Sequence, residues 1–332
     1  MSTVPRSFRP RGAGTGVGSM PQAGAAEAVE AAVTTCPELP FWPTRPLAVP
    51  AEEMVRQWAA GLPGVGEIQA DHGPSRPAWV GRDRAPGGPG LAAGAAGTLD
   101  PFIRALSGRP AGWLKLQATG PVSLALALEA GGRQAFARPE VRGPLALGYA
   151  ARIRWLVTKV REALPSWKLL LVLDEPSLGD PMVTEGPGLA VELWRALGAT
   201  GAELTGLHCC APPPWPLILD VDPQLVSFDA VSHGDAATDD PAFRRLVESG
   251  SAVAWGLVPA TGPLHGADPD DLADRLLDLV EWTAGDYLPE VLARSLITPT
   301  CGLASTEQGE AVRRLALGAS VGSRAWELAE LP

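Results

Sequence analysis

Cysteine and histidine are both scarce, four of each in 332 residues, and two of the cysteines are adjacent. So thin a set is not the framework of a secreted disulfide scaffold and points to a reducing compartment. Also missing is any stretch approaching the roughly 20 consecutive apolar residues a membrane helix needs, so no membrane partner is expected. The first residues, Met1-Ser2-Thr3-Val4-Pro5-Arg6, carry charge with no apolar run behind them and read as neither signal peptide nor anchor. Nor is there a Lys/Arg cluster long enough to follow a phosphate backbone, and the net charge of −10 counts against nucleic acid. What is left is a cytoplasmic enzyme.

What the chain does have is 46% apolar and 19% charged residues, the balance of a soluble globular protein, with 38 Gly and 34 Pro to make many connections. Its length suits one large α/β barrel or two ordinary domains. Residues 1–12 are polar, Arg-containing and broken by proline, and read as a flexible arm. Gly14-Thr15-Gly16-Val17-Gly18-Ser19-Met20-Pro21 then turns into an Ala/Glu-rich helix over 22–34. Its G-x-G-x-G spacing is not the dinucleotide fingerprint G-x-G-x-x-G, and no apolar strand precedes it. Backbone N–H groups of such a turn can still hold a carboxylate. Residues 36–50 and 61–100 are rich in Pro and Gly and read as long loops around a short helix at 51–60.

From about residue 110 a regular alternation begins. Strands are expected at 113–118, 168–173, 203–207, 225–228, 252–258 and 296–299, with helices at 122–131, 140–163, 186–199, 240–248 and 268–284. A last helix begins near Ser305, with Ser305 and Gln308 placed for a capping box. Counting a poorly defined unit near 65–80, the pattern is that of a (β/α)8 TIM barrel, a single domain over 13–332. Such barrels carry their chemistry at the C-terminal ends of the strands. Ser19, Asp174, His208, Cys210, Asp229 and Cys301 all fall there.

His208 and Cys210 are two apart, so on an extended strand end both side chains point the same way. Cys301, from a later strand, joins them only if the sheet curls round. One nitrogen and two thiolates, with the Asp229 carboxylate as a fourth ligand, suit tetrahedral zinc. The competing interpretation is that these are ordinary buried cysteines and a hydrogen-bonded histidine. Cys209 should point away into the core, and Cys36, in a Pro-rich loop, has no assigned part. Zinc bound by two thiolates activates water poorly but holds a substrate thiol as thiolate. Alkyl transfer to sulfur is the matching chemistry. Asp174 suits an ammonium group and the Gly18-Ser19 turn a carboxylate, so an amino acid carrying a thiol satisfies all three.

Gly18-Ser19-Met20-Pro21-Gln22, Lys115-Leu116-Gln117 with Gly120-Pro121, Asp174-Glu175-Pro176, His208-Cys209-Cys210, Ser227-Phe228-Asp229 and Pro299-Thr300-Cys301-Gly302-Leu303 occur in this order. Over residues 13–325 the chain thus resembles the catalytic domain of cobalamin-independent methionine synthases, in the superfamily that also holds uroporphyrinogen decarboxylase and corrinoid-dependent thiol methyltransferases. The resemblance implies zinc on His208, Cys210 and Cys301, with Asp229 where those synthases have glutamate. It implies that Gly18 and Ser19 contact the homocysteine carboxylate and Asp174 its amino group. The acidic Gly-Glu motif of that family has only Glu67 as a counterpart. The N-terminal half of the full synthases has no counterpart here, which leaves as methyl donor a corrinoid, free or on a corrinoid protein, a folate bound unaided, or another methyl carrier. Alkyl transfer to another thiol such as coenzyme M, a metal-free decarboxylase-like reaction, and a metal-binding scaffold are the other readings. Lys115 and Gln117 face the barrel interior, Lys115 as a further candidate site residue.

Overall fold

The computed structural model describes residues 4–68, 75–81, 88–264 and 267–329. The strands, in chain order, are β1 (Val65–Ile68), β2 (Arg76–Trp79), β3 (Trp113–Thr119), β4 (Glu129–Ala130), β5 (Arg133–Gln134), β6 (Lys168–Asp174), β7 (Leu204–Cys209), β8 (Leu225–Asp229), β9 (Ala252–Val258) and β10 (Ser295–Pro299). The α-helices are α1 (Ala25–Thr35), α2 (Met54–Ala59), α3 (Leu99–Leu106), α4 (Pro121–Ala127), α5 (Pro139–Ala163), α6 (Pro181–Glu185) and α7 (Pro187–Ala196). They continue with α8 (Trp215–Val221), α9 (Ala230–Asp239), α10 (Pro241–Glu248), α11 (Pro269–Ala284), α12 (Leu288–Ala293) and α13 (Gln308–Leu328).

The six later strands pair in parallel, in the order β10-β9-β8-β7-β6-β3. Apolar runs make this possible, because each strand must bury both faces. The period of two divides every run between two cores. Leu169, Leu171 and Leu173 join Leu114, Leu116, Val226, Phe228, Val253 and Trp255 under the helices. Leu170 and Val172 join Leu204, Leu225, Ala252, Ala254 and Leu296 inside the curl of the sheet. Residues 174, 208, 227 and 298 continue the inner row upward.

The expected closed barrel of eight strand–helix units is not what forms. The regular ladder stops at β10 and β3, and two extended segments span the gap. Residues 12–15 lie along β10, with Thr15 N–H donating to Ile297 O at 2.9 Å and Ile297 N–H to Ala13 O at 3.1 Å. Residues 40–42 lie along β3, with Trp42 N–H donating to Lys115 O at 2.9 Å and Lys115 N–H to Pro40 O at 2.8 Å. The two segments meet at Ser19 and Thr44, where Met20 N–H donates to Thr44 O at 2.8 Å and Thr44 N–H to Gly18 O at 3.0 Å. Glycines at 12, 14, 16 and 18 in the first stretch and prolines at 40 and 43 in the second deny a continuous ladder. The unit expected near 65–80 belongs instead to a second sheet, β1-β2-β4-β5, in which β1 and β2 run antiparallel. Residues 69–74 and 82–87 of the expected loop lie outside the described residues.

Three local expectations also differ. Residues 4–12, read as a loose arm, are packed: Phe8 is buried edge-on to Trp113 at 4.8 Å, and Gly12 N–H donates to Ser295 O at 2.9 Å. Gly12 approaches Gly322 of α13 so closely that a Cβ on Gly322 would lie 1.7 Å from Gly12 O. The final helix starts at Gln308 with Glu307 at the N-cap and no side-chain cap, so the Ser305–Gln308 box does not form. Helix α9, absent from the expected elements, starts directly after β8, its first turn capped by Asp229. No helix among the described residues is long and apolar enough to cross a membrane.

Candidate metal centre

The register of the sheet assembles the site. Asp174 on β6 lies opposite His208 on β7, and His208 opposite Ser227 on β8. The three form one row at the C-terminal ends of the strands, all on the inner face. Ser227 Oγ sits 2.9 Å from His208 Nδ1, which fixes the ring and leaves Nε2 buried and without a partner. Cys210 follows two residues on, while Cys209 turns outward into the core, its Sγ donating to Ala211 O at 3.4 Å.

Cys301 arrives from the loop after β10. Thr300 anchors that loop, its N–H donating to Val258 O at 2.8 Å and its Oγ1 accepting from Ala260 N–H at 2.9 Å. Among the described residues, His208, Cys210 and Cys301 form a group whose ligand atoms all lie within 4.8 Å of one another. A tetrahedral zinc with bonds of about 2.0–2.3 Å keeps its ligand atoms within roughly 4 Å of each other, so small side-chain adjustments suffice. Three observations fit a cation here: an N, S, S donor set, an orphaned buried imidazole nitrogen, and thiols that cannot both ionise alone. The Cys301 thiol is drawn down by the hydrogen bond from Cys210 and then by His208, while the Cys210 thiol is driven up by the same bond and by burial. A cation between the sulfurs removes that conflict.

Asp229 is not in this group. Its Oδ1 accepts from Ser232 N–H at 2.9 Å, so the carboxylate caps α9. A carboxylate at a helix N-terminus gains from both the free N–H groups and the dipole, and here helix and strand share the residue.

A cavity of about 300 Å³ opens over the cluster and is lined by Ser19, Gln117, Asp174, His208, Cys210 and Cys301. Thr44, Glu52, Glu53, Met54, Gln57 and Trp58, from the segment 44–58, also line it. Asp174 has a buried Oδ1 with no partner, and burial pushes its carboxyl up to about 6 against the pull of His208 and Lys115. The Gly18-Ser19 turn is clamped between two neighbours. A Cβ on Gly18, at φ +155°, would come within 2.6 Å of Gln117 Cδ, and a Cβ on Gly302 within 2.0 Å of Ser19 Oγ. Leu303 N–H donates to Ser19 O at 2.8 Å, tying the turn to the Cys301 loop.

Two further candidates lie apart from the cluster. Glu67 is on β1, its half-exposed carboxylate paired with Arg56 at 3.0 Å, and it does not line the cavity. Lys115 is buried beneath the site, its Nζ donating to Val17 O at 2.6 Å, with burial drawing its ammonium down to about 8. Cys36 is buried at the end of α1, its thiol pushed up to about 12 by burial.

The wall from Thr44 to Trp58 was not foreseen, because it comes from a Pro-rich stretch without periodicity. Inside it, Glu52 forms a buried pair with Arg45 at 3.0 Å and Glu53 caps α2 through Val55 and Arg56 N–H. An acidic pair just before a short helix was the available signal. Glu175, fully buried, accepts from Val122 N–H at 3.0 Å, Ser123 N–H at 2.7 Å and Trp194 Nε1–H at 3.0 Å. It holds the end of β6 to the start of α4, and so holds Asp174 in place.

No family model and no curated protein matches the sequence. Among solved structures, the fold is similar to that of a B12-independent methionine synthase from Shewanella sp. W3-18-1, solved in complex with selenomethionine. That match has a TM-score of 0.61 at 14% identity, over 96% of this chain and 98% of that one. A methyltransferase from Methanosarcina mazei matches with a TM-score of 0.50 at 13% identity, over 99% of this chain and all of that one. The chain therefore shares its overall fold with these two proteins.

Proposed function

We propose that this chain is a zinc-dependent methyltransferase that converts homocysteine to methionine in the cytoplasm, on a (β/α)8-type barrel whose first two strand positions are the irregular segments at 12–20 and 40–44. The observation that carries the reading is the convergence of His208, Cys210 and Cys301 in one cavity with Asp174 and Ser19. The fold shared with a methionine synthase solved with selenomethionine supports it. His208, Cys210 and Cys301 would hold the zinc, which when bound supplies a Lewis acid that keeps a substrate thiol ionised at neutral pH. With Asp229 engaged by α9, these three side chains would be the protein's donors to the metal, and a substrate thiol would bind beside them.

The remaining work falls to the chain's own side chains. Ser227 fixes the imidazole so that Nε2 faces the cluster. Asp174 Oδ1, lacking a partner, accepts from the substrate ammonium, which also favours its ionised form. Ser19 Oγ and the backbone of the Gly18-Ser19 turn face the carboxylate. Trp58, Met54 and Pro46 give the cavity lining apolar surface, which would limit water at the sulfur. In the reaction the thiol proton leaves to solvent and an S–CH3 bond forms as the methyl–donor bond breaks. The electron pair of the broken bond stays on the donor, where a folate nitrogen takes up a proton from solvent or a corrinoid cobalt is left reduced by two electrons. The donor is a folate or a corrinoid, free or carried on a protein.

The test is metal content together with the response to homocysteine. About one zinc per chain is expected, with most of it lost from Cys210→Ser and from Cys301→Ser. Zinc-edge absorption should show one added sulfur neighbour when homocysteine binds. A folded, metal-supplemented protein without zinc would favour the metal-free decarboxylase-like reading. Zinc that never responds to homocysteine would favour another thiol such as coenzyme M, or a scaffold.

A further inference from the structure

Three residues that line this one cavity each carry a buried polar atom without a hydrogen-bond partner: His208 Nε2, Asp174 Oδ1 and Gln117 Oε1. The metal and the substrate ammonium account for the first two. Gln117 is only 5% exposed, and its Nε2 donates to Trp42 O. A carbonyl can only accept, so the nitrogen must face Trp42 and the oxygen is left without a donor. Gly18 packs against the same amide, leaving no space on that side for it to swing away. A buried acceptor without a donor costs about 1–3 kcal/mol, so its presence calls for a donor brought by a ligand.

The register shows where that donor must sit. Gln117 lies opposite Val172 and Thr119 opposite Asp174, so Gln117 is on the inner face one layer below Asp174, on the neighbouring strand. Two acceptor oxygens on adjoining strands exclude a carboxylate between them and suit a group with several N–H donors. We infer that Gln117 is a second acceptor for the substrate's ammonium group, sharing it with Asp174 and selecting amino acid thiols over thiols that lack an amine. The inference rests on the reading of the substrate as an amino acid thiol.

Calorimetric titration of the zinc-loaded protein tests it with two ligands, homocysteine and 4-mercaptobutyrate, which keeps the thiol and carboxylate but has no amine. The wild type should prefer homocysteine. Gln117→Met should weaken homocysteine about 5- to 10-fold, the value of one hydrogen bond, and leave 4-mercaptobutyrate within about twofold. Gln117→Glu, whose neutral carboxyl would donate to Trp42 O as the amide does and keep an acceptor oxygen at the same place, should retain most of the preference. Equal weakening of both ligands by Gln117→Met would make the residue a mere shaper of the cavity, and unchanged homocysteine affinity would mean that water serves the oxygen. Either result overturns the inference, as does loss of the preference in a folded Gln117→Glu protein should the methionine variant not fold. A wild type that binds both ligands equally would remove the amino-acid reading itself, and this result is read before any variant is made.

Discussion

The two ends of the same strands are built by opposite rules. Low on the inner face, Leu170, Leu204, Leu225, Ala252, Ala254 and Leu296 pack on one another and on Phe8 and Leu39, with Lys115, opposite Leu170, tied to Val17 O. High on the same face, Asp174, His208 and Gln117 each keep a buried polar atom unpartnered, and two sulfurs contest a proton. The lower end is complete in the protein alone, whereas the upper end leaves polar atoms open, as the proposed cation and ligand require. Stability should therefore reside below and binding above.

The largest expected effect comes from breaking the lower end. Leu170→Ala removes a fully buried side chain from the inner core and should cost about 2–5 kcal/mol. The denaturation midpoint should fall at unchanged slope, and zinc stoichiometry should stay near one. Loss of zinc with the stability would show that the two ends are not separable.

The upper end predicts the reverse. Ser227→Ala removes the partner of His208 Nδ1 and should weaken zinc about 10- to 100-fold in a chelator competition, with little change in the denaturation midpoint. A drop in stability as large as that of Leu170→Ala would make Ser227 part of the core and move the boundary upward.

The same division explains what could be read from the chain. Strands β6 and β9 are continuous apolar runs, and the spacing of His208 and Cys210 puts both on one face whatever the wider fold. Those features follow from local periodicity. Asp229 satisfies the same parity, but the immediate start of α9 takes its carboxylate, and the stretch Ala230–Asp239 has too little apolar pattern to announce a helix. The segments at 12–20 and 40–44 occupy strand positions without strand composition, because their pairing is with distant β10, β3 and each other. Glu67 follows a glycine as the family motif would, but its strand belongs to a second sheet. The unpartnered oxygen of Gln117 is a tertiary fact, set by Trp42 and Gly18, and no window of sequence contains it.

Lys115 lies at the boundary, and its titration places that boundary. Its Nζ reaches Val17 O beside a void of about 10 Å³, room for about one water, lined by Thr15, His208, Ser227 and Thr298. Burial, the leading cause, draws its ammonium from the usual 10.5 down to about 8, with Asp174 pulling the other way. The folded value is below the unfolded one, so between about pH 8 and 10.5 the unfolded chain binds more protons and stability rises with pH. Below pH 8 both states hold the proton, and the full cost of the buried charge is present. Lys115→Met removes that titration. The stability of the wild type relative to Lys115→Met should therefore rise by about 1–2 kcal/mol from pH 8 to pH 10 and stay flat from pH 6 to pH 7.5, as read from denaturation midpoints. A difference that is flat throughout would mean that water reaches the ammonium from the cavity, and that the wet, ligand-completed end extends one layer deeper than the contacts of Lys115 indicate.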